Sequence, residues 1–94
     1  MEENKILTQH PEGKQGVNIS RAKYEMIKKA ILDAIHSQGI VTYQGMVSLI
    51  EYQLRNRFEG SISWYVTTVK LDMEARGEIE RVPDSNPQQL RLVK

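Results

Sequence analysis

Between residues 61 and 76 the apolar positions fall on two stripes of a helix. At about 100° per residue, Ile62, Tyr65, Val66, Val69 and Met73 gather on one face, the spacing of a helix that packs on a core. Trp64, Leu71 and Ala75 gather on the opposite face beside Thr68, where a surface helix is polar. That second stripe predicts either a covering segment or a contact surface. Ser61, following Gly60, is a suitable N-cap, and Gly77 a suitable stop because glycine takes positive φ without a Cβ penalty. Beyond it, Glu78–Val82 sets β-branched residues among charges, as an exposed strand does.

The same patterning predicts two earlier helices. The first runs from Ser20 as cap to Gln38, with Gly39 as its stop and Tyr24, Ile27, Ile31, Ala34 and Ile35 as its buried face. Ile19 is placed to staple the first turn and Ile40 to pack back against the last. The second runs from Thr42 to about Arg57, with Met46, Val47, Ile50, Leu54 and Phe58 repeating at three and four. The four tyrosines read as core or core-edge residues. After the third helix, Pro83–Pro87 is a run of turn formers, and Gln88–Val93 completes a hairpin with Leu90 and Leu92 on one side. Residues 1–19 form an arm rich in turn formers. It is either a frayed tail or a segment that docks through Val17 and Ile19. The expected order is therefore arm, three helices and two strands, an α+β chain that is mainly α.

Ninety-four residues suffice for one small domain, here residues 20–94 with the arm 1–19 before it. No cysteine is present, which removes disulfides and thiolate metal sites and fits a reducing compartment. No apolar run approaches the ~20 residues of a membrane span, and the polar, acidic start is unlike a signal peptide. A cytoplasmic protein with no membrane partner is the expectation. The most basic stretch, residues 20–38, sets Arg21, Lys23, Lys28 and Lys29 against Glu25 and Asp33 for a net +2. Such a balance gives weak electrostatic support for nucleic-acid binding.

Catalytic constellations are missing from the sequence. His10 and His36 lie far apart, with no carboxylate at ligand spacing, so no metal site is expected. Ser20-Arg21-Ala22-Lys23 matches an S-x-x-K pattern, but Ser20 reads as a helix cap and the companion motifs are absent. Asp72 and Glu74, two apart, point to different sides of a helix. No glycine-rich phosphate loop occurs. The chain is read as a non-enzyme with no cofactor.

Three short helices, the third ending in glycine and feeding a hairpin, form the winged helix-turn-helix layout. Met73-Glu74-Ala75-Arg76-Gly77-Glu78-Ile79-Glu80-Arg81 resembles the L-E-x-x-G-x-I-x-R end of the recognition helix in bacterial winged-helix regulators. The run GSISWY at Gly60–Tyr65, with Tyr24, Val69-Lys70-Leu71-Asp72 and Pro87-Gln88-Gln89, also resembles a small bacterial family of standalone winged-helix-like proteins with no established function. The resemblance covers about residues 20–94 and implies that the outer face of the third helix enters a major groove. It implies DNA contacts by Ser63, Thr67 and Lys70, and by Arg81 and Arg91 on the hairpin. Arg21, Lys28, Lys29, Arg55 and Arg57 are the candidates for phosphate contacts. A typical recognition helix shows more than one basic or amide side chain; here Lys70 is the sole base on the expected outer face, and Glu74 opposes phosphate.

Two functions follow. One is a small winged-helix regulator or accessory factor that binds double-stranded DNA, as a homodimer to gather enough contacts. The other is a protein-interaction module on the same scaffold, using Trp64, Leu71 and Ala75 and binding no nucleic acid.

Overall fold

The computed structural model describes residues 4–93 as an α+β fold of three helices and small antiparallel sheets. Helix α1 spans Arg21–Gln38, and the Ser20 side chain accepts the Lys23 N–H at 3.3 Å. Its buried residues are Tyr24, Ile27, Ile31, Ala34 and Ile35, the stripe its spacing predicts. The Gly39 N–H closes the helix onto the Ile35 carbonyl.

Ile40 does not fold back on α1. It is 47% exposed and opens a strand the apolar pattern did not reveal, β3, at Ile40–Thr42. Three residues are too few to show a period of two, and they sit between a helix stop and a helix cap. Helix α2 spans Tyr43–Leu54 and is capped by Thr42 Oγ1, which accepts the Gly45 N–H at 3.0 Å. It ends short of Arg57, whose N–H bonds to the Leu54 carbonyl in a closing turn. Helix α3 spans Ile62–Ala75, with Ser61 Oγ accepting the Trp64 N–H. Gly77 ends it at φ +76°, where its N–H meets the Glu74 carbonyl and the Glu78 N–H meets the Met73 carbonyl. That pair of bonds satisfies carbonyls the helix end would leave open.

The chain turns at once into β4, Ile79–Arg81, and returns along β5, Gln89–Leu92. Both β4 and β3 flank β5 antiparallel, giving the order β3-β5-β4. Ile79, Leu90 and Val41 face inward and are buried, whereas Ile40, Glu80 and Arg91 share the outer face.

The arm is ordered. Strand β1, Lys5–Leu7, pairs antiparallel with β2, Asn18–Ser20, and β2 runs directly into α1. Ile19 is buried and Ile6 packs against the core from the opposite position. Val17 lies only loosely against the domain and stays 39% exposed. The loop between the strands is pinned instead by Thr8, which is buried, donates its N–H to the Val17 carbonyl and accepts the Val17 N–H on Oγ1. Gly16 is required there, since a Cβ would lie 1.6 Å from the Thr8 carbonyl oxygen.

A single core joins the layers: Ile27, Ile31 and Ile35 of α1 with Met46 and Ile50 of α2, Val66, Val69 and Met73 of α3, and Ile79 and Leu90 of the sheet. Each such side chain contributes about 1.5–3 kcal/mol on full burial. Tyr24 belongs to this core and Tyr43 and Tyr65 to its edge, but Tyr52 is 68% exposed and stands outside it. Among the described residues, no helix is long and apolar enough to cross a membrane.

Candidate interaction surface around the third helix

Helix α3 is enclosed on more sides than a surface helix. Its core face packs as its spacing predicts, with Val66, Val69 and Met73 fully buried. Next to that face lies Asp72, a carboxylate with no exposed surface and a filled set of donors. It accepts the Tyr24 hydroxyl at 2.5 Å, the Gln9 N–H at 2.8 Å, and Arg76 Nε at 3.0 and 2.9 Å to its two oxygens. Burial and the adjacent Asp72 charge push the Tyr24 phenol well above its ordinary range, and the bond to Asp72 holds the Arg76 guanidinium more firmly protonated. Asp72 ties the arm, α1 and the end of α3 together. Closed to solvent and fully bonded, it has the surroundings of a structural carboxylate rather than of a general base.

The opposite flank carries the residues expected to read DNA, and Lys70 is not available there. Its residue exposure is 4%. The ammonium lies 3.2 Å from Glu74 and 5.4 Å from the centre of the Tyr43 ring. Desolvation lowers its pKa despite the Glu74 charge. The spacing had placed Lys70 on a wet face. Tyr43, at the start of α2, lies against Lys70, and the charge is paired with Glu74 inside the protein. Thr67 is half-buried, donates to the Ser63 carbonyl and hydrogen-bonds the Tyr43 hydroxyl. Of the three residues on the helix, Ser63 alone is exposed.

The remaining candidates for DNA and phosphate contacts divide into two sets. Lys28 pairs with Glu78 and Lys29 with Asp33, both at 2.8 Å, and Arg91 pairs with Glu80 at 2.6 Å. Arg21, Arg55, Arg57 and Arg81 are exposed and make no ion pair among the described residues; Arg55 lies over the exposed Tyr52 ring. None of those four lies on α3, whose own Lys70 and capping Arg76 are both committed to carboxylates.

The second apolar stripe meets the arm. Trp64 is 46% exposed and stacks edge-on against Tyr65, while Leu71 and Ala75 are half-buried. Gln15, Gly16 and Val17 of the arm line a hollow of about 180 Å³ with Trp64, Thr68 and Leu71. A larger cleft, about 450 Å³, opens where the arm loop from His10 to Lys14 faces Leu71 and Glu74 of α3 and the whole of β4. Among the described residues, no group of three histidines or carboxylates is placed to hold a metal ion.

The burial of Asp72 and of Thr8 escaped the sequence reading. Asp72 sits beside Met73 at the margin of the apolar face, three residues beyond Val69, a place where a charge needs a buried partner. That position was the available signal. Thr8 gave none, since its burial depends on how the loop lies over α3.

No curated protein matches the chain, and no solved structure does. The family profile that does match spans residues 5–90, nearly the whole described fold, and on that match the chain belongs to a family of unknown function, DUF6958.

Proposed function

We propose that this chain is a winged-helix scaffold that holds segments of other proteins and does not read DNA. The order helix, strand, helix, helix, strand, strand, with β5 between β3 and β4, supports the winged-helix assignment. The observation that carries the functional reading is the state of α3. In a groove-binding module its outer face presents cations to phosphates and base edges. Here Lys70 is buried against Glu74, and the arm lies across the neighbouring stripe. Freeing Lys70 would break a buried ion pair, and inserting α3 would require moving the arm off Thr68 and Leu71. A surface that combines half-exposed Trp64, Leu71 and a cleft against β4 suits a polypeptide partner better. No part of this reading involves catalysis.

One observation favours DNA as a second reading. Arg21, Arg55, Arg57 and Arg81 are exposed and lack carboxylate partners among the described residues, and phosphate contacts need no recognition helix. Titration of the protein with duplex DNA at 50 and 200 mM salt separates the two. The interaction-module reading expects no salt-dependent binding. Affinity that falls about a hundredfold or more between those salts, as four displaced counterions give, overturns it. Sedimentation of the free protein tests the homodimer expectation in the same samples.

A further inference from the structure

We infer that the outer edge of the arm strand β1 pairs with the same edge of a second copy of this chain, antiparallel about a two-fold axis at Ile6. This goes beyond the interaction-module reading and does not depend on the cleft beside β4.

The backbone makes the first part of the case. In an antiparallel ladder, hydrogen-bonded and non-bonded pairs alternate. The Arg21 N–H bonds to the Asn4 carbonyl and the Thr8 N–H to the Val17 carbonyl, so Asn4, Ile6 and Thr8 turn their main-chain polar groups toward β2. Lys5 and Leu7, the alternate residues, turn theirs outward, where no described residue bonds them. The edge stops at Gln9, whose N–H is taken by Asp72.

Exposure makes that edge reachable. Lys5 is exposed, and Leu7 is 58% exposed. The three-stranded sheet has no equivalent: Ile79 of β4 is 1% exposed, and Thr42 of β3 is committed to capping α2. Strands β1 and β2 form a two-stranded sheet of their own. Such a sheet is marginal in water and gains from further strands, and an unpaired edge is a template for one.

The residues along the edge select the occupant. With the axis at Ile6, Lys5 stands opposite Leu7 of the second copy, and Leu7 opposite its Lys5. Each of these two pairs exchanges two main-chain hydrogen bonds, four in all. Ile6 meets its own counterpart in the non-bonded pair, where side chains approach most closely, on the face that packs against the core. No charge faces its like directly, and one side chain of each bonded pair is apolar. The edge therefore complements itself in register, and the product is a four-stranded sheet. The interface is small, so the dimer is weak.

The test uses the full-length protein. Its sedimenting mass is expected to rise from monomer at about 20 µM toward dimer at about 1 mM. In ¹⁵N-labelled protein the Lys5 and Leu7 amides are expected to gain protection from hydrogen exchange over the same range. Leu7→Pro removes an outward N–H without touching the ladder with β2 and is expected to leave a monomer throughout. Leu7→Lys and Leu7→Glu change an exposed side chain and serve should the proline variant not fold. The lysine stands against Lys5 of the second copy at two places and is expected to weaken association at least about tenfold. The glutamate stands against the same Lys5 and is expected to keep association within about threefold. A mass that stays monomeric to about 1 mM overturns the inference. So does protection centred on Asn18, or unchanged association of folded Leu7→Pro. Equal weakening by lysine and glutamate also overturns it, since that marks an apolar contact without this register.

Discussion

The Tyr24 hydroxyl donates to Asp72 Oδ2 across 2.5 Å and joins α1 to α3 through a carboxylate that water does not reach. The same carboxylate takes the Gln9 N–H, so one buried charge also fastens the arm. Tyr24→Phe removes a donor but leaves Asp72 bonded to Arg76 and Gln9; a loss of about 1.5–3 kcal/mol is expected. Asp72→Ala strands the Tyr24 hydroxyl and the Gln9 N–H together and is expected to cost about 3–5 kcal/mol. Urea unfolding of both variants and of the double variant checks this. Simple additivity would mean that the two groups do not stabilise one another.

The phenol also sets an alkaline limit. Burial and Asp72 raise the Tyr24 pKa above its ordinary 10.0, so the folded state holds that proton when the unfolded state has released it. The stability from this group is complete below about pH 10 and is lost as pH rises above it, by up to about 1.4 kcal/mol per pH unit. Lys70 acts with the opposite sign, because its lowered pKa makes the folded state the weaker proton binder as pH approaches 10.5. The comparison that isolates Tyr24 is wild type against Tyr24→Phe in unfolding experiments from pH 8 to 11. The difference between them should shrink above pH 10; a constant difference would contradict the assignment.

The helices were legible because each carries its own punctuation. Ser20 and Ser61 cap as read, Thr42, read as the start of the second helix, caps it, Gly39 and Gly77 stop as read, and the buried stripe of α1 is the one its spacing gives. These are local effects, decided within a few residues. What stayed hidden depends on distant partners. β3 exists because β5 returns to Ile40–Thr42 after crossing most of the chain. Lys70 is dry because it lies against Tyr43 and pairs with Glu74, and helical spacing has no knowledge of Tyr43. The two stripes of α3 did announce that something covers the second one. The arm does so in part, with Gly16 and Val17 beside Trp64 and Leu71.

That cover depends on one close approach. An alanine Cβ at position 16 would overlap the Thr8 carbonyl, a backbone atom that cannot swing aside as a side chain can. Gly16→Ala is therefore expected to loosen the loop while leaving the three helices folded. Trypsin cleavage after Lys14 should accelerate at least about tenfold, because local opening that costs about 1.4 kcal/mol less raises the open population by that factor. Cleavage at an unchanged rate would show that the loop does not rest on this contact.

Lys70 and Glu74 provide the sharpest separation between a buried pair and a binding residue. Their side chains are 5% and 9% exposed, so each charge depends on the other. Lys70→Met leaves the Glu74 carboxylate enclosed without a cation and is expected to destabilise the fold by about 3–5 kcal/mol. Replacing both, as Lys70→Met with Glu74→Leu, removes the desolvated charges together. That variant is expected to match the wild type or exceed it by about 1–4 kcal/mol. If Lys70 instead served at a nucleic-acid surface, the single variant would keep its stability and lose affinity for duplex DNA. Urea unfolding of the two variants, run beside the DNA titration, distinguishes the cases, since a buried pair predicts a large change in the first experiment and none in the second.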